Sequence, residues 1–130
     1  MNFDIKYLVC ALSFAAVGLS LGVYMGASHN HSELVAHAHI LLIGFVVSFI
    51  YAIIHRLWLV QPNRAIATAQ FVLHLVAAIT ISVGLFLLYG NIVEAPALDL
   101  ILGIGAVGVL LGMLMMIYMV IKFGHRQSVA

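Results

Sequence analysis

The chain has 130 residues, of which 65% are hydrophobic and only 7% are charged, and its mean hydropathy is +1.23. Soluble domains carry about 25% charged residues, so this composition excludes an ordinary soluble domain and indicates a protein of the lipid bilayer. The net charge of +1 gives no sign of a nucleic-acid partner, and the length suits one domain over residues 1–130.

Four apolar runs follow one another along the chain, separated by polar breakers at 28–30, 61–64 and 90–96. Each is long enough for the ~20 residues that cross a bilayer, and without water to satisfy the backbone such a run must be helical. The first run exceeds the 7–15 apolar residues of a signal peptide, so we interpret it as a retained helix. We predict an all-α, up-down-up-down bundle of four transmembrane helices. Their predicted bounds are about 5–26, 34–59, 65–89 and 95–121.

The charged residues orient this bundle. Alternation of the helices puts all five basic residues on one side and three of the acidic residues on the other. The positive-inside rule then predicts that both termini are cytoplasmic. The basic residues are Lys6, Arg56, Arg64, Lys122 and Arg126; the acidic ones are Glu33, Glu94 and Asp99.

The seven histidines carry most of the functional information, because ionisable groups inside a membrane are costly and usually functional. Histidine without carboxylate or thiolate partners points to haem or to a transition metal such as copper. The single cysteine, Cys10, excludes a c-type haem, which needs a Cys-x-x-Cys-His motif. The predicted spans hold a single acid, Asp99, one turn into the fourth, so general acid–base catalysis has little support.

His37 and His39 open the second predicted helix. Two residues are about 200° apart on an α-helix, so these side chains cannot bind one ion on the same face but can serve two sites on opposite faces. The stripe that contains His39 is wholly apolar, as a haem face or a lipid face would be. The stripe that contains His37 is small and polar enough for a bundle interior; it continues through Leu41, Gly44, Ser48, Tyr51 and His55.

The other histidines have local explanations beside functional ones. Counting from the turn near Pro62 puts His74 level with Ile50 and about 16 Å in depth from His39, which favours an interhelical hydrogen bond for His74. His29 and His31 lie in the predicted outer turn, either as solvated residues or as a copper or zinc site with His37. His55 fits an interfacial anchor, and His125 lies in the tail.

Glycines at a spacing of four residues mark close helix contacts, within or between chains. They occur at Gly18, Gly22 and Gly26 in the first helix and at Gly108 and Gly112 in the fourth.

Two segments, 37–58 and 69–77, resemble the tenth and eleventh helices of the catalytic subunit of haem–copper oxidases. The closest subgroup is the bacterial cbb class of cytochrome c oxidase with the related nitric oxide reductases. The residues that carry the resemblance are His37-Ala38-His39, Gly44-Phe45, Tyr51, His55-Arg56-Leu57-Trp58 and Val72-Leu73-His74.

The resemblance implies haem b as cofactor, with His37 and His39 as iron ligands; the family's histidine matched by His74 does not bind iron. Because this chain lacks counterparts of the family's copper ligands and remaining haem ligand, it is not expected to be an oxidase by itself. The family's subunit has three similar arcs of helices, with ligands on the second helix of each arc. This implies a homotrimer in the bacterial inner membrane, with haem between His39 of one chain and His37 of the next.

We therefore expect a small membrane protein that binds haem b, for electron transfer or for sensing gas or haem. Its candidate cofactor-binding residues are His37, His39 and His74. Two alternatives remain open at this point. One is an accessory or assembly subunit that handles haem or copper for a respiratory-chain partner. The other is an outer-side copper- or zinc-binding protein that uses His29, His31, His37 and His39.

Overall fold

The computed structural model describes residues 1–59 and 61–125. In these ranges the chain is all-α, and its four long helices are each apolar and long enough to cross a membrane. Their ends lie within two residues of the predicted bounds, which confirms the multi-pass membrane fold. The helices are α1 (Phe3–Ser28), α2 (Leu34–Leu57), α3 (Arg64–Tyr89) and α4 (Ala95–Phe123).

The helices begin and end at residues whose local chemistry favours a helix boundary. The side chain of Asn63 accepts hydrogen bonds from the backbone N–H groups of Ala65 and Ile66, which caps the free amides that begin α3. α4 carries Pro96 in its first turn, a position where the missing N–H costs nothing. α1 ends at Ser28, and the next residue, His29, lies in the left-handed region, with φ 55°.

Helix α2 is not uniform along its length. It begins as α-helix over Leu34–His39, winds as π-helix over Ile40–Val47, and returns to α-helix over Ser48–Leu57. No feature of the sequence predicted this change. π-Helical turns are rare and are frequently found at functional sites, and this one begins directly after His39.

The charges segregate as the alternation of helices predicted. One end of the bundle, which we call the basic end, is formed where α1 and α3 begin and where α2 and α4 end; it carries Lys6, Arg56, Arg64 and Lys122. Arg126 lies outside the described residues. Glu33, Glu94 and Asp99 lie at the opposite end.

Packing is pairwise in chain order: α1 packs on α2, α2 contacts α3, and α3 packs along α4. The glycine stripes serve these contacts within the chain. A Cβ at Gly18 would overlap Leu41 of α2, and one at Gly108 would lie 2.9 Å from the Cβ of Ala77 of α3. Gly26 is the exception, because open space surrounds it.

A cluster of closely packed, buried residues lies in the half of the bundle near the basic end. Its apolar members include Leu59, Met116 and Met119, all almost fully buried, and flexible thioether side chains are suited to filling irregular space in a core. Polar side chains are buried beside them: Tyr7, Ser48, Tyr51, His55, Gln70 and His74.

Candidate functional site

His39 is held in one orientation by its own helix. Its Nδ1 lies 2.9 Å from the backbone oxygen of Val35. Because a carbonyl oxygen can only accept, Nδ1 carries the proton and donates it, which leaves the lone pair on Nε2. Metal-binding histidines have this arrangement: one ring nitrogen is fixed by a hydrogen bond and the other is available to a metal.

The side chain of His39 is half-buried and lies at the wall of a groove between α2, α3 and α4. The groove has a volume of about 330 Å³, and its other walls are apolar. Those walls are Ile43 of α2, Ile81 and Leu85 of α3, and Leu102, Ala106 and Val109 of α4.

His37 lies on the opposite side of α2, against α1. Its Nδ1 donates to the backbone oxygen of Gly18 at a distance of 2.8 Å. The ring covers Gly22, where a Cβ would lie only 2.9 Å from Cε1 of the ring. The two histidines therefore face different helices, as their spacing of two residues predicted, and one chain does not bring them to one ion.

His74 of α3 is buried where that helix meets α2 and α4. A hydrogen bond of 2.9 Å joins its Nε2 to Oγ of Ser48, and its ring packs edge-on against Tyr51, with 4.9 Å between the centroids. Its partner on α2 is thus two residues from Ile50, the level that the depth estimate gave. His74 has the interhelical hydrogen bond expected of it and does not line the groove of His39.

A second polar contact, which the sequence analysis did not predict, links three helices. Tyr7 of α1 donates to Oε1 of Gln70 on α3, and Nε2 of Gln70 donates to the backbone oxygen of Gly112 on α4 at 3.1 Å. The signal that could have found this contact is Gln70 itself, because an amide inside an apolar span needs hydrogen-bond partners.

The alternative of an outer-side metal site drew on His29, His31 and His37. His29 and His31 are exposed in the turn between α1 and α2, whereas the ring of His37 is turned towards α1. Across residues 1–59 and 61–125, no three His, Cys, Asp or Glu side chains lie close enough together to hold a metal ion.

The chain matches no protein-family model, no curated protein and no solved structure. The resemblance to haem–copper oxidases therefore rests on residues 37–58 and 69–77 alone.

Proposed function

We propose that this protein is a membrane haem b protein in which Nε2 of His39 is an axial ligand of the iron. The observation that carries the proposal is the hydrogen bonding of the two ring nitrogens of His39. Its Nδ1–H is held by the carbonyl oxygen of Val35, and Nε2 makes no hydrogen bond within the described part of the chain. A hydrogen bond from the ring nitrogen that does not bind the metal orients a ligating imidazole and increases its basicity.

The surroundings of His39 fit a haem better than a bare metal ion. Apart from the imidazole, the side chains that line the groove are aliphatic, so they offer an ion no further ligand but can pack against the face of a porphyrin. Haem, when bound, supplies an iron that exchanges one electron or takes a gaseous ligand at an open axial position. The residues of this chain supply one ligand, its orientation and an apolar environment.

A second protein ligand has to come from outside this groove, and we propose that a neighbouring chain of a homotrimer provides it. His37 is suited to that role because its Nδ1 is also held by a backbone oxygen, that of Gly18. Its Nε2 makes no hydrogen bond to any described residue. The two rings project from opposite sides of α2, as ligands shared around a ring of subunits require.

We further propose that the membrane is the bacterial inner membrane, with the basic end in the cytoplasm. The turn at Asn91 would then be external, which a reporter inserted at this position tests directly.

The visible spectrum of the detergent-solubilised protein tests the haem assignment. The native protein is expected to show a Soret band and, once reduced, the sharp bands of low-spin haem b. His39→Ala is expected to abolish or convert these bands because it removes the iron ligand. His125→Ala, which changes an exposed histidine beyond the end of α4, is expected to leave them intact. An unchanged haem spectrum in His39→Ala would show that His39 is not the ligand.

A further inference from the structure

A second cavity lies at the basic end of the bundle, far along α2 from His39. It has a volume of about 490 Å³ and is bordered by the start of α1, the end of α2 and the turn that leads into α3. We call it the basic-end pocket. Its polar side chains are Asn2, Asp4, His55, Arg56, Gln61 and Arg64.

His55 is the most informative residue of this pocket. Only 4% of its surface is exposed, and neither of its ring nitrogens has a hydrogen-bond partner among the described residues. The ring stacks on Phe3 and Tyr7, with centroids 5.3 and 5.5 Å away. Buried polar groups are nearly always hydrogen-bonded, because an unsatisfied one destabilises the fold. His55 lines the pocket, and its nitrogens are enclosed, so the ring has to turn for an oxygen of a bound molecule to satisfy one of them.

The charges around the pocket favour an anion. Arg56 and Arg64 line it together with a single acid, Asp4, whose carboxylate lies 3.5 Å from Arg56. Arg64 is the first residue of α3, so the positive end of that helix dipole adds to its charge. Guanidinium groups match the geometry of phosphate oxygens and are the usual choice for binding them.

The depth of the pocket indicates where such an anion comes from. Arg56 stands in the last turn of the span Leu34–Leu57, and Trp58 follows it. Tryptophan and arginine at the end of a span are typical of the headgroup level of a bilayer, and basic pockets between helices at this level bind anionic headgroups.

We propose that the basic-end pocket binds a phosphate group, that of an anionic phospholipid, through Arg56, Arg64 and a ring nitrogen of His55. This site is separate from the haem proposal, because it shares no residue with the groove of His39. Binding there would fasten the start of α1 to the end of α2 and to the start of α3.

Native mass spectrometry of the whole, detergent-solubilised protein tests this site. The protein is titrated with phosphatidylglycerol, with zwitterionic phosphatidylcholine and, separately, with inorganic phosphate. We expect one tightly bound phosphatidylglycerol per chain and weaker binding of phosphatidylcholine. A basic side chain near a membrane surface contributes about 1 kcal/mol to the binding of anionic lipid, so Arg64→Gln is expected to weaken that binding about fivefold.

Two further variants separate a built site from general attraction to the basic end. Lys122→Gln removes the same charge from an exposed position at that end, but Lys122 does not line the pocket, so binding should be retained. His55→Phe keeps an aromatic ring between Phe3 and Tyr7 but removes both nitrogens, so binding should weaken while helix content stays the same.

The losses of binding in these variants distinguish a phospholipid site in the pocket from general attraction to the basic end and from binding of a free anion. Equal losses in Arg64→Gln and Lys122→Gln, or no loss in either, would overturn the proposal. Binding of inorganic phosphate that depends on Arg64, without binding of phosphatidylglycerol, would support the phosphate site but assign it to a free anion.

Discussion

At the scale of single residues, Glu33 has a carboxyl group that is buried in the folded protein. It lies at the end of the bundle opposite the basic end. Only 5% of its surface is exposed, and its Oε2 has no hydrogen-bond partner among the described residues. Burial raises the pKa of the Glu33 carboxyl above its ordinary value, because the charged form loses its hydration. The other titratable side chain that lines the hollow around it is Tyr24.

This raised pKa makes stability depend on pH. The folded state holds the Glu33 proton more tightly than the unfolded state, whose pKa is about 4.3. The resulting stabilisation is complete below the unfolded pKa and is lost as pH rises through the folded pKa. We expect the Tm in detergent to fall over this window, and Glu33→Gln to flatten the fall and raise the Tm at neutral pH. Glu94→Gln, at an exposed position, is the control; identical pH profiles for wild type and Glu33→Gln would contradict the prediction.

Gln70 is the second residue whose environment predicts a measurable effect. Gln70→Leu removes the acceptor for Tyr7 and the donor to Gly112, leaving a buried hydroxyl unsatisfied at a cost of about 1–3 kcal/mol. The free energy of unfolding in detergent should fall by that amount. Adding Tyr7→Phe should recover part of the loss, since the orphaned hydroxyl is then gone. Strictly additive losses in the double variant would show that the two side chains do not interact.

At the scale of helices, the sequence predicted boundaries well because they depend on local chemistry. Pro62 and Asn63 separate α2 from α3, and the apolar runs between such breakers have few alternatives in lipid. The π-helical stretch was not predictable in this way. Ile40–Val47 is an apolar run without proline, and nothing in its composition distinguishes a π-helix from an α-helix. The wider winding is visible only in the backbone hydrogen bonds.

The candidate site also contains some features that the sequence predicted and others that it did not. The opposed directions of His37 and His39 and the depth of His74 follow from helix geometry, so the sequence predicted them. The partners of Tyr7 and the unsatisfied nitrogens of His55 depend on which residues of different helices meet. Tertiary packing decides those contacts, and no local pattern encodes them.

Gly44 lies in the π-helical stretch of α2, at a point where α1 packs closely against it. Replacing this glycine therefore tests the contact between the two helices. A Cβ at Gly44 would overlap the ring and the Cβ of Phe14, so the side chain cannot simply swing away. We expect Gly44→Ala to separate α1 from α2 and to destabilise the protein by about 1–3 kcal/mol, measured by thermal unfolding in detergent. Gly103→Ala on α4, where a Cβ would meet open space, should be neutral. Equal stability of both variants would exclude this close contact.

At the scale of the whole molecule, the described chain leaves its proposed haem site incomplete. The groove offers His39 and otherwise only aliphatic side chains. His37 is turned towards α1, and His74 is engaged by Ser48. If haem is held by two protein ligands, as we propose, the second ligand comes from a neighbouring chain, and assembly is expected to depend on cofactor loading.

Native mass spectrometry of the wild type beside His37→Ala and His39→Ala measures this dependence. We expect three chains with up to three haems in the wild type, because a cofactor bound only by the assembled form stabilises it by mass action. Both variants should lose haem and shift towards monomer, since each removes one half of every shared ligand pair. The control is His29→Ala, which removes an exposed histidine from the turn before α2 and should leave three chains with haem. A monomer that retains haem would refute sharing between subunits, and the effect of His39→Ala on its spectrum would still decide whether His39 binds the iron.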